Sequence, residues 1–200
     1  MKEDTKQEII FVILPEFADW EGAFIASTLN FGMEPGQAKY TVKTLSVTKD
    51  PVLSIGGFRV LPDYDLNDLP DTYAGVVLVG GMSWFTPQAE KLGPLVKAAF
   101  AEGKLVAGIC NASVFLGMQG ILNGRKHTSN GLEYLQQTAG EKYTGEAGYL
   151  NEQAVRDGNL VTANGTGALE FCREILYALE VDTPEKIEAN YQFYKRGLVK

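Results

Sequence analysis

Three stretches of the chain are apolar at nearly every position: Ile9-Ile10-Phe11-Val12-Ile13-Leu14, Ala74-Gly75-Val76-Val77-Leu78-Val79 and Leu105-Val106-Ala107-Gly108-Ile109. A strand reads this way when both faces of its sheet are covered, as in a parallel sheet between two layers of helices. Tyr40 to Val47 alternates and predicts a further strand. Val52 to Val60 predicts a weaker pair folding around Gly56-Gly57. Late in the chain, Ala154-Val155-Arg156 and Leu160-Val161-Thr162-Ala163 flank a tight turn at Asp157-Gly158 and predict a hairpin.

Helical spacing fills the gaps. Asp19 is a plausible N-cap for a helix to about Asn30, with Phe24, Ile25, Thr28 and Leu29 on its apolar side. Pro87 to Glu102 predicts one helix buried through Leu92, Leu95, Val96, Ala99 and Phe100. Another helix follows residue 110 to about Gln119, and 132–138 predicts a short one. Gly165-Thr166-Gly167 opens a helix with Leu169, Phe171, Cys172, Ile175, Leu176 and Leu179 at helical spacing. Thr183-Pro184 starts the last helix, a cap followed by proline at the first position. After the turn-rich Gly120 to Gly124, Arg125 to Ser129 is expected to re-enter the sheet. Alternating strands and helices imply parallel strands with right-handed crossovers. The fold expected is a three-layer α/β/α sandwich with a mostly parallel sheet, flavodoxin-like or glutamine-amidotransferase-like, in one domain over residues 1–200.

Composition narrows the partners. A net charge of -7 disfavours nucleic acid and anionic membrane surfaces. No apolar run approaches the ~18 residues of a membrane span. The charged start lacks the apolar core of a signal peptide, and the two cysteines form no C-x-x-C; a cytoplasmic protein is expected. A single histidine, His127, leaves little for a metal site or a Ser–His–Asp triad, so no metal and no cofactor are expected.

The chemistry centres on Gly108-Ile109-Cys110-Asn111-Ala112. An apolar strand, a turn of small residues and a helical run make a nucleophile elbow with cysteine in the serine position. The turn exposes the sulfur at the sheet edge, near helix N-terminal N–H groups that favour a thiolate. A buried structural thiol is the alternative reading. For Cys172, on the apolar stripe of a helix, core packing is the preferred reading.

The chain resembles the DJ-1/PfpI superfamily, relatives of class I glutamine amidotransferase domains, from about residue 8 to 181. The resemblance rests on Phe11 to Pro15 followed by Asp19-Trp20-Glu21; Val77 to Gly81; Ala107 to Ala112; and Gly120 to Lys126, with 157–163 as the closing hairpin. It implies Cys110 as nucleophile, Glu21 as the acidic neighbour, and the backbone N–H groups of Gly81 and Asn111 as an oxyanion hole. Glu16 and Asp19 are nearby alternatives to Glu21. Many relatives carry a histidine that, counted from Gly124, falls here on Asn130; His127 comes three residues early and should face the other way on an alternating strand. A Cys–His dyad is therefore doubtful. His127, Asn130 and Trp84 remain candidates for orienting a substrate.

The resemblance implies a cysteine-dependent hydrolase or lyase acting on a small carbonyl or amide compound, of glyoxalase, deglycase or amidase type. The alternative is a redox or electrophile sensor, a chaperone-like stress protein using the same cysteine; a strict amidotransferase or a protease is less favoured. Family members are often dimers, so a homodimer is the assembly the resemblance suggests.

Overall fold

The computed structural model describes residues 6–198. Five parallel strands and one antiparallel edge strand form the central sheet: β1 (Gln7–Val12), β2 (Tyr40–Leu45), β5 (Gly75–Leu78), β6 (Leu105–Ile109), β8 (Leu160–Ala163) and β7 (Ala154–Asp157), in the order β2-β1-β5-β6-β8-β7. β3 (Val52–Leu53) and β4 (Arg59–Val60) form a separate small hairpin. The helices are α1 (Asp19–Phe31), α2 (Pro87–Glu90), α3 (Gly93–Ala101), α4 (Asn111–Met118), α5 (Leu132–Ala139), α6 (Ala168–Ala178) and α7 (Pro184–Arg196). This is the predicted α/β sandwich.

Side-chain alternation within the fully apolar strands divides the core in two. Ile10, Val12, Val76, Leu78 and Val106 face a layer holding Trp84, Leu92, Val96, Phe115 and Leu135. Ile9, Phe11, Val77, Val79, Ala107 and Ile109 face Ile25, Leu29, Phe171, Ile175 and Ile187. A strand covered on both faces therefore needs apolar residues at odd and even positions alike, which is why β5, β6 and the Ile9–Val12 part of β1 read as unbroken runs.

Three local expectations are corrected. The helix expected over 87–102 is two helices. Pro94 has no N–H to bond the carbonyl four residues back, so α2 stops at Glu90 and α3 restarts with the proline in its first turn. Asp19 is the first residue of α1 rather than its cap; the cap position is Ala18, with no side-chain bond. The Asp19 carboxylate instead accepts the Gly56 N–H at 2.7 Å, tying α1 to the β3–β4 hairpin. Arg125 to Ser129 does not join the sheet. It makes one bridge, His127 with Tyr149, and the Thr128 N–H donates to Thr162 Oγ1 at 2.8 Å.

The sheet order places a site. β1 has β2 on one side and β5 on the other, so the crossovers reverse direction there. Ligands in such sheets gather beyond the carboxyl ends near that point. Glu21 follows β1, Gly81 follows β5, Cys110 follows β6 and Gly165 follows β8: four adjacent strand ends.

Candidate active site

Cys110 sits where β6 turns into α4, with φ 58° and ψ -130°. A non-glycine residue in this region is strained, and the surroundings hold it there. Its N–H donates to Ala163 O at 2.9 Å, binding the elbow to β8. Its carbonyl accepts from the Ser113 N–H at 3.0 Å and from Ser113 Oγ at 2.6 Å. Ser113 in turn shares a 2.7 Å bond with Ser129. The half-buried sulfur is thus carried on a fixed backbone.

Glu21 arrives from the first turn of α1 and is 2% exposed. Gly22 lets the helix approach, since a Cβ there would stand 3.0 Å from Val79 Cγ2. The Glu21 carboxyl meets the Cys110 thiol, and burial raises it from 4.5 to about 7 against the pull of that thiol and of the Gly80 N–H. Its Oε2 is buried with no hydrogen-bond partner among the described residues. Burial also pushes the Cys110 thiol up; the Asn130 amide and the Asn111 N–H draw it down, and Glu21 adds to the rise. The helix start and turn therefore supply donors, but they do not make Cys110 a low-pKa thiolate as the elbow alone suggested. The Glu21 carboxyl is therefore the group of the pair that gives up its proton first, near neutral pH.

Asn130 lies against the sulfur. Its Nδ2 donates to Cys110 Sγ and to Asn111 Oδ1, both at 3.3 Å. Its Oδ1 accepts the Gly165 N–H at 2.9 Å, and since a peptide N–H can only donate, the amide orientation is fixed. Asn111 is a second hub. Its Nδ2 donates to Gly81 O at 2.8 Å, and its Oδ1 also accepts from the Tyr134 hydroxyl at 3.2 Å.

Gly81 must be glycine for two reasons. Its φ is 156°, and a Cβ would fall 2.5 Å from Glu16 O and 2.7 Å from Phe17 Cα. Those contacts arise because Gly81 bridges Phe17, flanked by Ala18 N–H to Gly80 O (2.9 Å) and Met82 N–H to Glu16 O (3.1 Å). In this pattern the N–H and C=O of Gly81 point away from Phe17. The C=O meets Asn111, so the N–H lies on the side of Asn111 and Cys110.

The remaining candidates separate. Glu16 is an exposed residue with φ 61°, and Asp19 is engaged by the hairpin. Trp84 is corrected: it is 1% exposed, with its indole N–H on Val79 O at 2.8 Å and its ring 5.0 Å from Phe115. It anchors a loop in the core. His127 is corrected likewise. It is fully buried, with Nδ1 2.8 Å from Arg125 O and Nε2 2.7 Å from the Tyr143 hydroxyl. A carbonyl only accepts, so Nδ1 carries the proton and Nε2 accepts from Tyr143. Cys172 is buried, with burial pushing its thiol up to about 12. Tyr134 was missed by sequence reasoning; a tyrosine on a short amphipathic helix carries no local signal of what it faces. Among the described residues no group of three or more His, Cys, Asp or Glu is placed to hold a metal ion, and no helix is long and apolar enough to cross a membrane.

Burial lowers the His127 pKa from 6.5. As pH falls below about 6.5 the unfolded chain takes a proton that the folded protein refuses, so this residue removes stability toward acid. The difference in urea midpoint between wild type and His127→Phe should therefore shrink from pH 7.5 to pH 5. A difference independent of pH would show that His127 is not held neutral.

A family model described as the DJ-1/PfpI family matches residues 7–178. A Bacillus subtilis protein named Uncharacterized protease YdeA is 40% identical over 194 residues, covering 94% of this chain and 93% of the relative. The Deglycase PfpI of Pyrococcus furiosus is 30% identical over 180 residues, covering 86% of this chain and 99% of the relative. The crystal structure of the DJ-1 superfamily protein Atu0886 from Agrobacterium tumefaciens is 36% identical, with a TM-score of 0.84, covering 95% of this chain and 98% of that one.

Proposed function

The chain belongs to the DJ-1/PfpI family, and from that premise we propose that it is a cysteine-dependent hydrolase or lyase acting on a small carbonyl or amide compound. The observation that carries the reading is the Cys110–Glu21 pair, a half-buried thiol against a buried carboxyl raised to about 7. A thiol whose own pKa is raised needs a base, and a carboxylate matched to neutral pH is an effective one. As sulfur attacks the carbonyl carbon, the thiol proton passes to Glu21 and the carbonyl π pair moves to oxygen. The N–H groups of Gly81 and Asn111 would face that oxyanion. The Asn130 amide donates to the sulfur where many relatives carry histidine, so it favours the thiolate without taking a proton. With an amide substrate, collapse expels the amine, which takes the proton back from Glu21; Glu21 then deprotonates the water that cleaves the thioester. With a 2-oxoaldehyde, the same carboxyl can move protons between substrate carbons and oxygens.

The names protease and deglycase among the relatives agree with sulfur attack on a carbonyl, and they leave the substrate open. A peroxide sensor is less well supported, because it works best with an exposed low-pKa thiolate, whereas Cys110 is half-buried and its thiol pushed up.

Methylglyoxal and a panel of small amides should reveal turnover by the wild type, and Cys110→Ser should lower it by at least about a thousandfold. Equal activity in the two proteins would remove Cys110 from the reaction. A wild type inert toward the whole panel, with Cys110 readily oxidised by low peroxide, would favour the sensor.

A further inference from the structure

We propose that the site takes uncharged carbonyl compounds bearing an apolar, preferentially aromatic substituent, which lies on a lip formed by Met82, Phe85 and Tyr134. The proposal rests on the reading of Cys110 as a nucleophile toward carbonyl groups and adds the class of substrate.

Met82 is 63% exposed, and Phe85 and Tyr134 are each 39% exposed. Scattered exposed apolar residues are ordinary, but these three connect to the candidate oxyanion donors through Tyr134 and through the chain at Gly81. Met82 directly follows Gly81. The Tyr134 hydroxyl donates to Asn111 Oδ1, and its ring meets the edge of Phe85 with centroids 6.4 Å apart. A carbonyl held by the Gly81 and Asn111 N–H groups therefore has apolar and aromatic surface beside it.

The lip is also fixed. Met82 precedes and Phe85 ends a single 3₁₀ turn, Ser83–Phe85. Trp84 plunges from that turn into the core, so its neighbour Phe85 points outward. Thr86 Oγ1 donates to Ser83 O at 2.8 Å and accepts the Ala89 N–H at 3.4 Å, closing the turn onto α2. Tyr134 is held through Asn111. A surface ordered before binding loses little freedom when a ring lies on it.

Charge selects in the same direction. The side chains bonded around the sulfur are Asn111, Asn130 and Tyr134, with Glu21 beside it. That network contains no lysine or arginine, so a substrate carboxylate would find no countercharge within it and would lie beside a glutamic acid.

Phenylglyoxal, methylglyoxal and glyoxylate test the lip with one reactive group and three substituents. Wild type should show kcat/KM for phenylglyoxal about tenfold above methylglyoxal, as expected for one aromatic contact, with glyoxylate poorest. Phe85→Ala should lower kcat/KM for phenylglyoxal several-fold more than for methylglyoxal and so erase the aromatic preference. Tyr134→Phe should keep the preference and slow both aldehydes, because it keeps the ring and frees Asn111. A wild type without aromatic preference, or a Phe85→Ala that slows both aldehydes alike, overturns the lip. A second measurement is independent of turnover: the rate of Cys110 alkylation by N-benzyl iodoacetamide relative to iodoacetamide, read by intact mass. If no aldehyde is consumed but the benzyl reagent is preferred and Phe85→Ala removes the preference, the lip stands and the enzyme reading falls. Turnover without preference in either measurement would leave the enzyme reading standing and remove the lip.

Discussion

Glu21→Gln is expected to lower turnover roughly 10²- to 10⁴-fold while making the protein more stable above pH 7. Both effects have one cause. The Glu21 carboxyl is buried against Cys110, and burial raises it from 4.5 to about 7. Between those values the folded protein holds a proton that the unfolded chain has released, so stability falls as pH rises through that window. Above about 7 the folded state carries a buried carboxylate, whose cost from this shift is roughly 3 kcal/mol. Glutamine keeps the shape and never ionises. The variant should match wild type near pH 4.5 and melt roughly 5–10 °C higher at pH 8. It cannot accept the thiol proton, so the rise of kcat/KM through an apparent pKa near 7 should vanish. That pKa belongs to the Cys110–Glu21 pair rather than to one residue. A variant that loses activity without gaining stability at pH 8 would mean that Glu21 is not buried as a strained carboxylate. One that gains stability and keeps activity would leave Cys110 with another base.

The layers of the fold were legible because a doubly covered strand must be apolar at every position, as β5, β6 and the Ile9–Val12 part of β1 are. The closing hairpin was legible through Asp157-Gly158, where Gly158 takes φ 62°. What failed depended on neighbours distant in sequence. Arg125 to Ser129 has the look of a strand, yet β8 is already paired with β6 on one side and β7 on the other. No edge is left for it there, and it hangs on the Thr162 hydroxyl instead. Trp84 was a candidate for orienting a substrate because it follows Gly80-Gly81, but one tight turn rotates it inward and Phe85 outward. In the site, Cys110, Glu21, Gly81 and Asn111 came from the order of motifs at successive strand ends. The Asn130 contact with sulfur could be located only by register, and Tyr134 not at all, because the packing of α5 on α4 decides what its hydroxyl meets.

Two glycines that frame the pair are expected to fail in different ways when each becomes alanine. A Cβ on Gly80 would lie on top of Glu21 Oε2, 2.6 Å from Cys110 Cβ and 2.8 Å from Ile109 O. Ile109 ends β6, in the middle of the sheet, and its carbonyl has little room to retreat. Gly80→Ala should cost about 3 kcal/mol or more, visible as a large drop in Tm, because overpacking against backbone is not relieved by a rotamer change. The three atoms nearest to a Cβ on Gly165 would be side-chain atoms of the pair: Cys110 Sγ at 3.0 Å, Glu21 Oε1 at 3.2 Å and Cys110 Cβ at 3.4 Å. Those groups can shift by tenths of an ångström, so Gly165→Ala should fold with a Tm within roughly 3 °C of wild type. The shift is nonetheless applied to the two groups that exchange a proton in the proposed reaction; a misplacement of about 1 Å costs about a hundredfold in rate, so a shift of tenths of an ångström should lower turnover several-fold. Alkylation of Cys110 should slow with it, because the methyl group stands beside the sulfur. If Gly165→Ala retains full activity, the reaction does not depend on the spacing of thiol and carboxyl. If Gly80→Ala melts with the wild type, the elbow is slack enough to absorb a methyl group, and the strain at Cys110 is not enforced by its neighbours.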